Sequence, residues 1–527
     1  MVLCLMNKRI FLINTLILTA GSLFMRMLNI GYRVFISDRI GAAGLGLYQL
    51  IFSVFILAIT ISTSGISLAV TRLVAEAMAK DDPGYAKGAV RKGIACSLTL
   101  SLTAMAVLYL LAQPIADVLL NEPSAARPLQ MLAPGLPFMA VSASLRGYFI
   151  AMRKALRPAT AEILEQLATI GIAVTLFALL APQTLEGACL VLMLGSTAGE
   201  MVSCLYNGIL YLWDVRRLHG HRARGKGALW GILRIALPSM TGYTARNILS
   251  AVENLLIPTG LRKNGSNAVS AMAQYGVIQG MVMPVLYFPA ALLSALAALL
   301  VPEMAEANAA GKSRAIARAT GRAMQMTLLF SFLIMGIFLG FSRDIGLTFY
   351  KNEQTGILLR ILAPLVPLMY LDGIVDSILK GLDQQMSSLK YNLSDSALRV
   401  VLIYSLIPVY GLKGYIAVVF FSTIFNASLS IHRLIKVARV PIQMIDWVAK
   451  PLLCMALSVS LVTLLLRFSP FSFFLPYQCV ILQVCVTPPL YAAFLFLCGS
   501  LGREDIRWVR SLTGRRPAAA PAQANSD

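Results

Sequence analysis

The sequence has few of the side chains on which enzyme chemistry depends. Three histidines occur in 527 residues, and His219, His221 and His432 all lie in loops between apolar stretches. We find no Ser-His-Asp arrangement, no zinc-ligand spacing and no glycine-rich phosphate loop followed by its lysine. These absences argue against an enzyme. The missing nucleotide site also argues against a pump that is driven by ATP on its own.

Charged residues are scarce as well, at 13% of the chain, where soluble domains have about 25%. Hydrophobic residues make up 58%, and the mean hydropathy is +0.74. Eight cysteines are scattered singly without a C-x-x-C pair, so we interpret them as buried apolar residues and not as disulfides or metal ligands. This composition predicts a membrane protein.

Apolar stretches of about 20 residues, the length that crosses the hydrocarbon core as a helix, recur along the whole chain. We predict fourteen spans, numbered 1 to 14 in chain order: about 10–36, 44–68, 93–112, 129–151, 161–181, 187–212, 229–257, 270–301, 323–341, 357–379, 392–409, 411–431, 448–468 and 475–499. Span 1 is interpreted as a retained helix and not as a cleaved leader, because span 7 is its counterpart in the second half. The predicted fold class is an all-α polytopic membrane protein.

Positive charges are distributed unevenly between the two sides of the predicted membrane. Of the 45 lysines and arginines, 29 fall on the side of the N-terminus, 8 on the other side and 8 within spans. The positive-inside rule then predicts that both termini are cytoplasmic, which requires an even number of spans. The net charge of +21 follows mostly from this topology, with added attraction to anionic lipids. Because the basic residues are dispersed over many loops, nucleic-acid binding is not expected.

The two halves of the chain repeat one motif. Leu-Ala-Pro-x-x-Pro-x-Met occurs at 132–139 and again at 362–369, and Glu76 aligns with Glu306 at the same shift along the chain. Each copy opens an apolar stretch that ends in a basic residue and a glycine, four residues later in the second copy. The paired prolines are interpreted as hinges, fixed kinks or helix starts. Parallel duplication is typical of transporters whose site lies at the interface of the repeats.

The repeat divides the chain into two parallel six-helix halves followed by two additional helices. The predicted parts are an N-terminal six-helix bundle at 1–212, a basic cytoplasmic loop at 213–228, a C-terminal six-helix bundle at 229–433, spans 13 and 14 at 434–500, and a cytoplasmic tail at 501–527 that we expect to be disordered.

Ionised side chains within spans are energetically unfavourable, and each is therefore a candidate for function. In span 1, Arg26, Asn29 and Arg33 lie on one helical face. Two guanidiniums and an amide suit a diphosphate, because arginine offers planar, bidentate hydrogen bonds to phosphate oxygens. The alternative is that Arg33 extends to the outer interface and that Arg26 pairs with a structural carboxylate.

Span 7 offers further candidates, since Arg246 and the neighbouring Asn247 would add to the same cationic cavity. Glu253 lies about two turns from Arg246, which is too far for a direct pair on a straight helix. It could bind a proton, a sodium ion or an arginine of span 1, or it could form a static ion pair between helices. Asp372 in span 10 is a second candidate for ion coupling, because the other acid of that helix pairs with Lys380.

The remaining acids within spans are interpreted as structural, with one exception. Glu162 and Glu165 lie near the start of span 5, where a helix N-terminus favours negative charge. Two pairs have the spacing of salt bridges along one helix: Arg72 with Glu76, and Asp395 with Arg399. The exception is Glu200, which lies deep in span 6 without a partner that the sequence identifies.

Several segments carry a resemblance to a known superfamily. Two parallel six-helix halves with two extra helices is the plan of the flippases of the multidrug/oligosaccharidyl-lipid/polysaccharide exporter superfamily. Residues 26–44 are similar to the first helix and following turn of the lipid II flippases, although the two arginines here are seven residues apart, one more than expected there. Segments 146–152 and 157–163 more closely resemble the stage V sporulation protein B family of polysaccharide-type exporters. The resemblance covers about residues 8–500.

The resemblance implies a flippase that carries an undecaprenyl-diphosphate-linked saccharide, foremost a peptidoglycan precursor of the kind needed for a spore cortex. It would work by alternating access, from the inner to the outer leaflet of the bacterial plasma membrane. No cofactor is expected; a coupling ion (proton or sodium) or the membrane potential would set the direction. The expected partners are the lipid-linked saccharide and anionic lipids, and the expected state is a monomer.

Two other functions stay open at this point. A multidrug cation antiporter of the same superfamily would have twelve helices and a cavity lined by acids and aromatics. A non-transporting scaffold for cell-wall synthesis would give no reason for paired arginines within a span. Both the helix count and the sign of the cavity favour the flippase.

Overall fold

The described chain consists of helices and the turns between them. The computed structural model describes residues 2–154, 156–217, 227–440, 443–468 and 476–501. Its helices are α1 (Val2–Thr63), α2 (Ile66–Ala79), α3 (Pro83–Leu110), α4 (Ala112–Pro114), α5 (Ala126–Leu132), α6 (Gly135–Ala151), α7 (Leu156–Leu180), α8 (Leu185–Arg217), α9 (Ala228–Lys263), α10 (Ala268–Tyr275), α11 (Met283–Tyr287), α12 (Ala290–Ala309), α13 (Ser313–Tyr350), α14 (Glu353–Leu362), α15 (Val366–Gly381), α16 (Gln385–Ala438), α17 (Lys450–Phe468) and α18 (Pro476–Leu497).

Eleven helices in this part of the chain are long and apolar enough to cross a membrane. Two are too long for a single crossing: Leu23–Ala79 has 57 residues and Gln385–Ala438 has 54. At about 1.5 Å per residue, each exceeds twice the ~30 Å hydrocarbon thickness. Each is broken by a glycine with a left-handed φ, Gly41 at 65° and Gly411 at 58°, where the sequence separates spans 1 and 2 and spans 11 and 12. The all-α membrane fold is confirmed, and fourteen crossings are consistent with these helices.

The backbone of the turns shows the repeat directly. Left-handed φ angles recur in four pairs of residues that have the same separation in the chain as the repeated motif: Asp81 (54°) with Gly311 (65°), Asn121 (50°) with Lys351 (50°), Arg153 (57°) with Asp383 (59°), and Ala181 (40°) with Gly411 (58°). Because this shift is constant, neither half has a net insertion relative to the other between these turns. The parallel duplication predicted from the sequence is present in the fold.

This constant shift corrects one detail of the sequence interpretation. The basic residues that end the repeated apolar stretches, Arg146 and Lys380, are not equivalent, because Arg146 corresponds to Asp376 at the shift of the turns. The apparent extension of the second copy is a displacement of the basic residue by about one helical turn.

The paired prolines lie at helix starts. Pro134 directly precedes α6, and Pro367 is the second residue of α15. Pro364 lies in the 3-10 turn Ala363–Leu365 that leads into the same helix. Proline fits these positions, because the first residues of a helix lack an intrahelical partner for their N–H groups. Of the three interpretations that the sequence allowed, a helix start is the one that the structure shows.

The chain divides into two compact units. Unit 1 comprises Met1–Leu23, Val285–Tyr391 and Thr423–Asp527, and unit 2 comprises Phe24–Pro284 and Asn392–Ser422. The boundaries of the predicted bundles at 1–212 and 229–433 were drawn from the repeat and differ from those of the two units. The two bundles remain a prediction from the sequence. Residues 218–226 of the predicted basic loop and 502–527 of the predicted tail lie outside the described residues.

Each unit has its own helical core. In unit 2, α2, α3, α6 and α9 enclose a cluster of buried side chains that includes Val70, Phe149 and Ile232. In unit 1, the 38-residue helix α13 packs against α14, α15, α17 and α18. Two buried tyrosine hydroxyls fix helices within this unit, Tyr370 donating to the Leu286 carbonyl at 2.7 Å and Tyr491 to the Leu329 carbonyl at 3.1 Å. The five residues predicted to bind substrate all belong to unit 2.

Candidate substrate and ion sites

Arg33 holds part of its guanidinium inside the protein. It lies on the uninterrupted stretch of α1 before Gly41, and its Nη1 atom is buried without a hydrogen-bond partner among the described residues. The Tyr48 ring lies within electrostatic range of the guanidinium. The alternative, in which Arg33 extends to the membrane interface, does not fit this burial. An unsatisfied buried donor is unfavourable by about 1–3 kcal/mol, more for a charged group, and an anion would relieve it.

The other two polar residues of this stripe have different surroundings. Arg26 is half-buried two turns before Arg33 on the same helix. Asn29 is exposed, and its Nδ2 donates to the Met25 carbonyl at 3.2 Å, one turn back along the helix. The sequence correctly placed the three residues on one face of a continuous helix. The structure adds that, of the two arginines, Arg33 has a buried donor without a partner.

The two predicted residues of α9 also differ from each other. Arg246 is exposed and forms no ion pair with any residue that the structure describes. Asn247 donates from Nδ2 to Thr60 Oγ1 at 2.6 Å, which connects α9 to the part of α1 that follows Gly41. Asn247 therefore uses one N–H group in a hydrogen bond between two helices. The Arg246 guanidinium is available to a ligand.

Glu253 is buried in an ionic network with residues of α16. Its Oε1 atom lies 3.3 Å from Arg399 Nη1, and Arg399 Nη2 lies 2.7 Å from Asp395 Oδ2. Ser422 Oγ donates to the other oxygen of Asp395 at 2.6 Å. The partner of Glu253 is thus Arg399 and not an arginine of span 1. The predicted pair of Asp395 with Arg399 is present, but the sequence did not reveal that Glu253 completes it.

Asp372, the second candidate for ion coupling, belongs to unit 1. Its Oδ2 atom accepts a hydrogen bond from Asn426 Nδ2 at 3.0 Å. The neighbouring acid Asp376 pairs with Lys380 at 2.6 Å, as predicted, and also accepts a hydrogen bond from Ser388. An amide from α16 therefore holds the carboxylate of Asp372.

The sequence interpretation did not identify a half-buried ion pair of unit 2. Arg262, near the end of α9, pairs with Glu122 and donates from Nη1 to the Asn121 carbonyl at 2.8 Å. Burial raises the pKa of the Glu122 carboxyl, and the charge and hydrogen bond of Arg262 act in the opposite direction. Asn121 is one of the left-handed turn residues of the repeat. The contact joins two segments that are far apart in the chain, so no local spacing predicts it.

Solved structures define the fold. The chain matches the lipid II flippase MurJ in an inward closed conformation with a TM-score of 0.67 at 14% identity, covering 91% of this chain and 98% of that one. It also matches an inward-facing multidrug resistance MATE family transporter of the MOP superfamily with a TM-score of 0.60 at 15% identity, covering 83% and 95%. The fold is the one that these membrane transporters share.

The family follows from the sequence match. The chain belongs to the polysaccharide biosynthesis protein family, whose pattern matches residues 11–307, more than half of the chain. It is 27% identical over 416 residues to stage V sporulation protein B of Bacillus subtilis (strain 168), covering 78% of this chain and 80% of that protein. The resemblance to the stage V sporulation protein B family of polysaccharide-type exporters, inferred from the sequence motifs, is confirmed.

Proposed function

We propose that this protein is a flippase for an undecaprenyl-diphosphate-linked saccharide, specifically a peptidoglycan precursor, which it moves from the inner to the outer leaflet of the bacterial plasma membrane. The observation that carries the proposal is the Nη1 donor of Arg33, which is buried and lacks a partner among the described residues. A diphosphate is the group that best satisfies such a donor, because arginine and phosphate oxygens form charge-assisted hydrogen bonds. Membership of the polysaccharide biosynthesis protein family supports the saccharide.

In the proposed mechanism the diphosphate binds first to Arg33 and Arg26 on α1, with Arg246 of α9 as a third cation. Asn29 and Asn247 supply neutral polar contacts at the edge of the same site. The polyprenyl tail stays in the lipid. Pairing with arginines offsets the desolvation of two phosphate charges, which is otherwise prohibitive in a low-dielectric interior.

Rocking of the two repeat halves then exposes the headgroup on the outer side. An inside-negative membrane potential favours this direction, by about 2.3 kcal/mol per negative charge moved outward through 100 mV. We further propose that the protein works as a monomer, with both termini in the cytoplasm and anionic lipids around its basic loops.

A cation antiporter is a poorer fit to the same residues. Two buried acids of unit 2, Glu253 and Asp395, already share the guanidinium of Arg399. The charged candidate residues of α1 and α9 that we assign to the ligand are arginines, which repel a cationic drug. The electrostatics of the site therefore favour an anionic headgroup.

Native mass spectrometry of the purified full chain tests the proposal. The probes are lipid II and an undecaprenyl-diphosphate-linked oligosaccharide, applied to the wild type, Arg33→Ala and Arg246→Ala. Arg234→Ala is the matched control, because Arg234 is an exposed arginine of the same helix α9. We expect lipid II to bind the wild type and the control and to be lost from the two other variants. Preferential binding of the oligosaccharide would indicate that the substrate is a precursor of another polysaccharide. Binding of organic cations, without binding of either lipid-linked saccharide, would overturn the proposed flippase function.

A further inference from the structure

Two carboxyl groups meet inside unit 2, away from the site described above. Glu165 lies on α7 and Glu200 on α8, and their carboxyl groups lie within hydrogen-bonding reach of each other. Glu200 is only 8% exposed. Ionised carboxylates have acceptors and no donor, so a hydrogen bond between two carboxyls requires a proton on one of them. We call Glu165 and Glu200 the carboxyl pair.

The helices that bear the carboxyl pair are packed closely beside it. A Cβ atom on Gly199 would lie 2.0 Å from Thr169 Oγ1 and 2.9 Å from the Glu165 carbonyl oxygen. A Cβ atom on Gly195, one turn away, would lie 3.1 Å from the Thr169 carbonyl oxygen. The backbones of α7 and α8 are therefore in contact beside the pair. Two ionised carboxylates this close repel each other, and the repulsion acts on two helices that are in contact.

Among the residues that the structure describes, one cation faces the carboxyl pair, and another acid already engages it. Arg146 of α6 is within electrostatic range of both carboxyls, but its Nη1 atom pairs with Glu162 of α7 at 2.6 Å. The Cys204 thiol of α8 also lies near Glu200. The remaining ion pairs of α8 involve Glu186 and Asp214, each fourteen residues from Glu200 and so about 21 Å along the helix. Arg146 thus cannot neutralise the pair as well as Glu162.

Buried oxygens beside the carboxyl pair give an independent indication of a small ligand. Ser203, one turn from Glu200, is 1% exposed and lies against Glu165, yet its Oγ has no well-formed hydrogen bond within the described chain. Asn207, one turn further on the same face, is also 1% exposed, and its Oδ1 lacks a partner there too. A hydroxyl can donate to an ionised carboxylate or accept from a protonated one, so Ser203 suits both states of Glu165.

We propose that Glu165 and Glu200 form a proton-binding site that holds one shared proton while α7 and α8 are packed together. When the proton passes to water, both groups become carboxylates, and their repulsion separates the helices. Reprotonation restores the contact. Within the described residues no group of three or more metal-ligating side chains occurs, which favours a proton over a metal ion. A role of this proton in driving transport rests on the proposed function, whereas the proton site itself does not.

Infrared difference spectroscopy of the full chain in lipid nanodiscs tests the proton site. The carbonyl stretch of a protonated carboxyl is measured at neutral pH and then as the pH is raised, in the wild type, Glu165→Gln, Glu200→Gln and the double variant. Glutamine has nearly the same shape and can still donate a hydrogen bond, so the helix contact is preserved. Glu76→Gln, which changes an exposed carboxyl paired with Arg72, is the matched control.

We expect a protonated-carboxyl band in the wild type and in Glu76→Gln, its disappearance on alkaline titration, and its absence from the double variant. The same band in the wild type and the double variant would overturn the proposal. Loss of the band on adding sodium chloride at fixed pH, but not on adding choline chloride, would show that the site binds a sodium ion and would overturn the proposal of a proton site. A protein that shows the band but flips no lipid would overturn the proposed function and leave the proton site supported.

Discussion

Gly46 and Gly276 are equivalent residues of the two halves, and they lie where two helices approach each other closely. Neither glycine has a side chain that would keep the helices apart. A Cβ atom on Gly46 would lie 2.2 Å from the Met272 carbonyl oxygen, and one on Gly276 would lie 1.9 Å from the Ala42 carbonyl oxygen. Ala42 and Met272 are themselves an equivalent pair at the shift of the repeat, so the contact is reciprocal. Segments of the two halves, in α1 and at the end of α10, therefore cross in unit 2 about a local pseudo-twofold axis. Gln49 and Gln279, also an equivalent pair, extend the contact with a 3.3 Å hydrogen bond.

We expect Gly46→Ala and Gly276→Ala each to destabilise the protein by about 1–3 kcal/mol, the usual range for overpacking. The added methyl group meets backbone, which cannot rotate away as a side chain can. Because both changes open the same crossing, the double variant should lose less than the sum of the single losses. The measurement is the thermal unfolding midpoint in detergent. Gly31→Ala on the same helix is the control, since a Cβ there meets nothing within 4 Å. A Gly46→Ala midpoint equal to that of Gly31→Ala would contradict the reciprocal contact.

Two equivalent turns of the repeat predict that introducing glycine in one and removing glycine from the other change the stability of the protein in opposite directions. Asp81 and Gly311 have equivalent left-handed φ angles of 54° and 65°. A side chain is unfavourable in this conformation by about 1–2 kcal/mol, and glycine is not. We expect Asp81→Gly to stabilise the protein and Gly311→Ala to destabilise it, each by about 1 kcal/mol. Thermal unfolding of the two variants measures both signs, and a shift in the same direction for both would show that the turns are not equivalent.

The sequence predicted those features of the fold that depend on periodicity along the chain. Apolar stretches located the spans, and the breaks at Gly41 and Gly411 fall where two stretches meet. The shift that relates the two copies of the proline motif proved to hold for the turns as well. Pairs at a spacing of four, such as Asp395 with Arg399, follow from helix geometry and were found.

Contacts between helices could not be predicted in the same way. Periodicity shows which residues share a face of one helix, but it does not show which face of another helix they meet. An ion pair between helices was therefore one of the roles predicted for Glu253, but the sequence did not identify Arg399 as its partner. Glu165 was interpreted as an acid favoured at a helix start, and Glu200 had no partner, although the two touch. The candidate site residues of α1 and α9 likewise came from the sequence, whereas the buried donor of Arg33 came from the structure.

Removal of Arg399 should destabilise the protein strongly. Glu253 and Asp395 are 9% and 3% exposed, so Arg399→Gln leaves two buried carboxylates without their cation. Breaking a buried pair in this way is unfavourable by about 3–5 kcal/mol. Arg343→Gln is the matched control, because Arg343 and Glu353 form an exposed pair that contributes about 0–1 kcal/mol. Adding Glu253→Gln to Arg399→Gln should recover part of the loss in the thermal midpoint. Equal stability of Arg399→Gln and Arg343→Gln would show that the network is not needed for the fold.

Substitution of Arg33 by lysine separates charge from geometry at the proposed phosphate site. Lysine keeps the positive charge, but it lacks the planar fork that binds two phosphate oxygens at once. We expect Arg33→Lys to weaken lipid II binding on the order of tenfold, about 1.4 kcal/mol, and Arg33→Ala to weaken it further. Titration of lipid II onto the full chain in nanodiscs gives both dissociation constants. Arg39→Lys, further along α1 and with its guanidinium over the Phe35 ring at 5.6 Å, is the control and should bind as the wild type does. If Arg33→Lys also binds like the wild type, a single charge suffices and the bidentate recognition proposed for Arg33 is wrong.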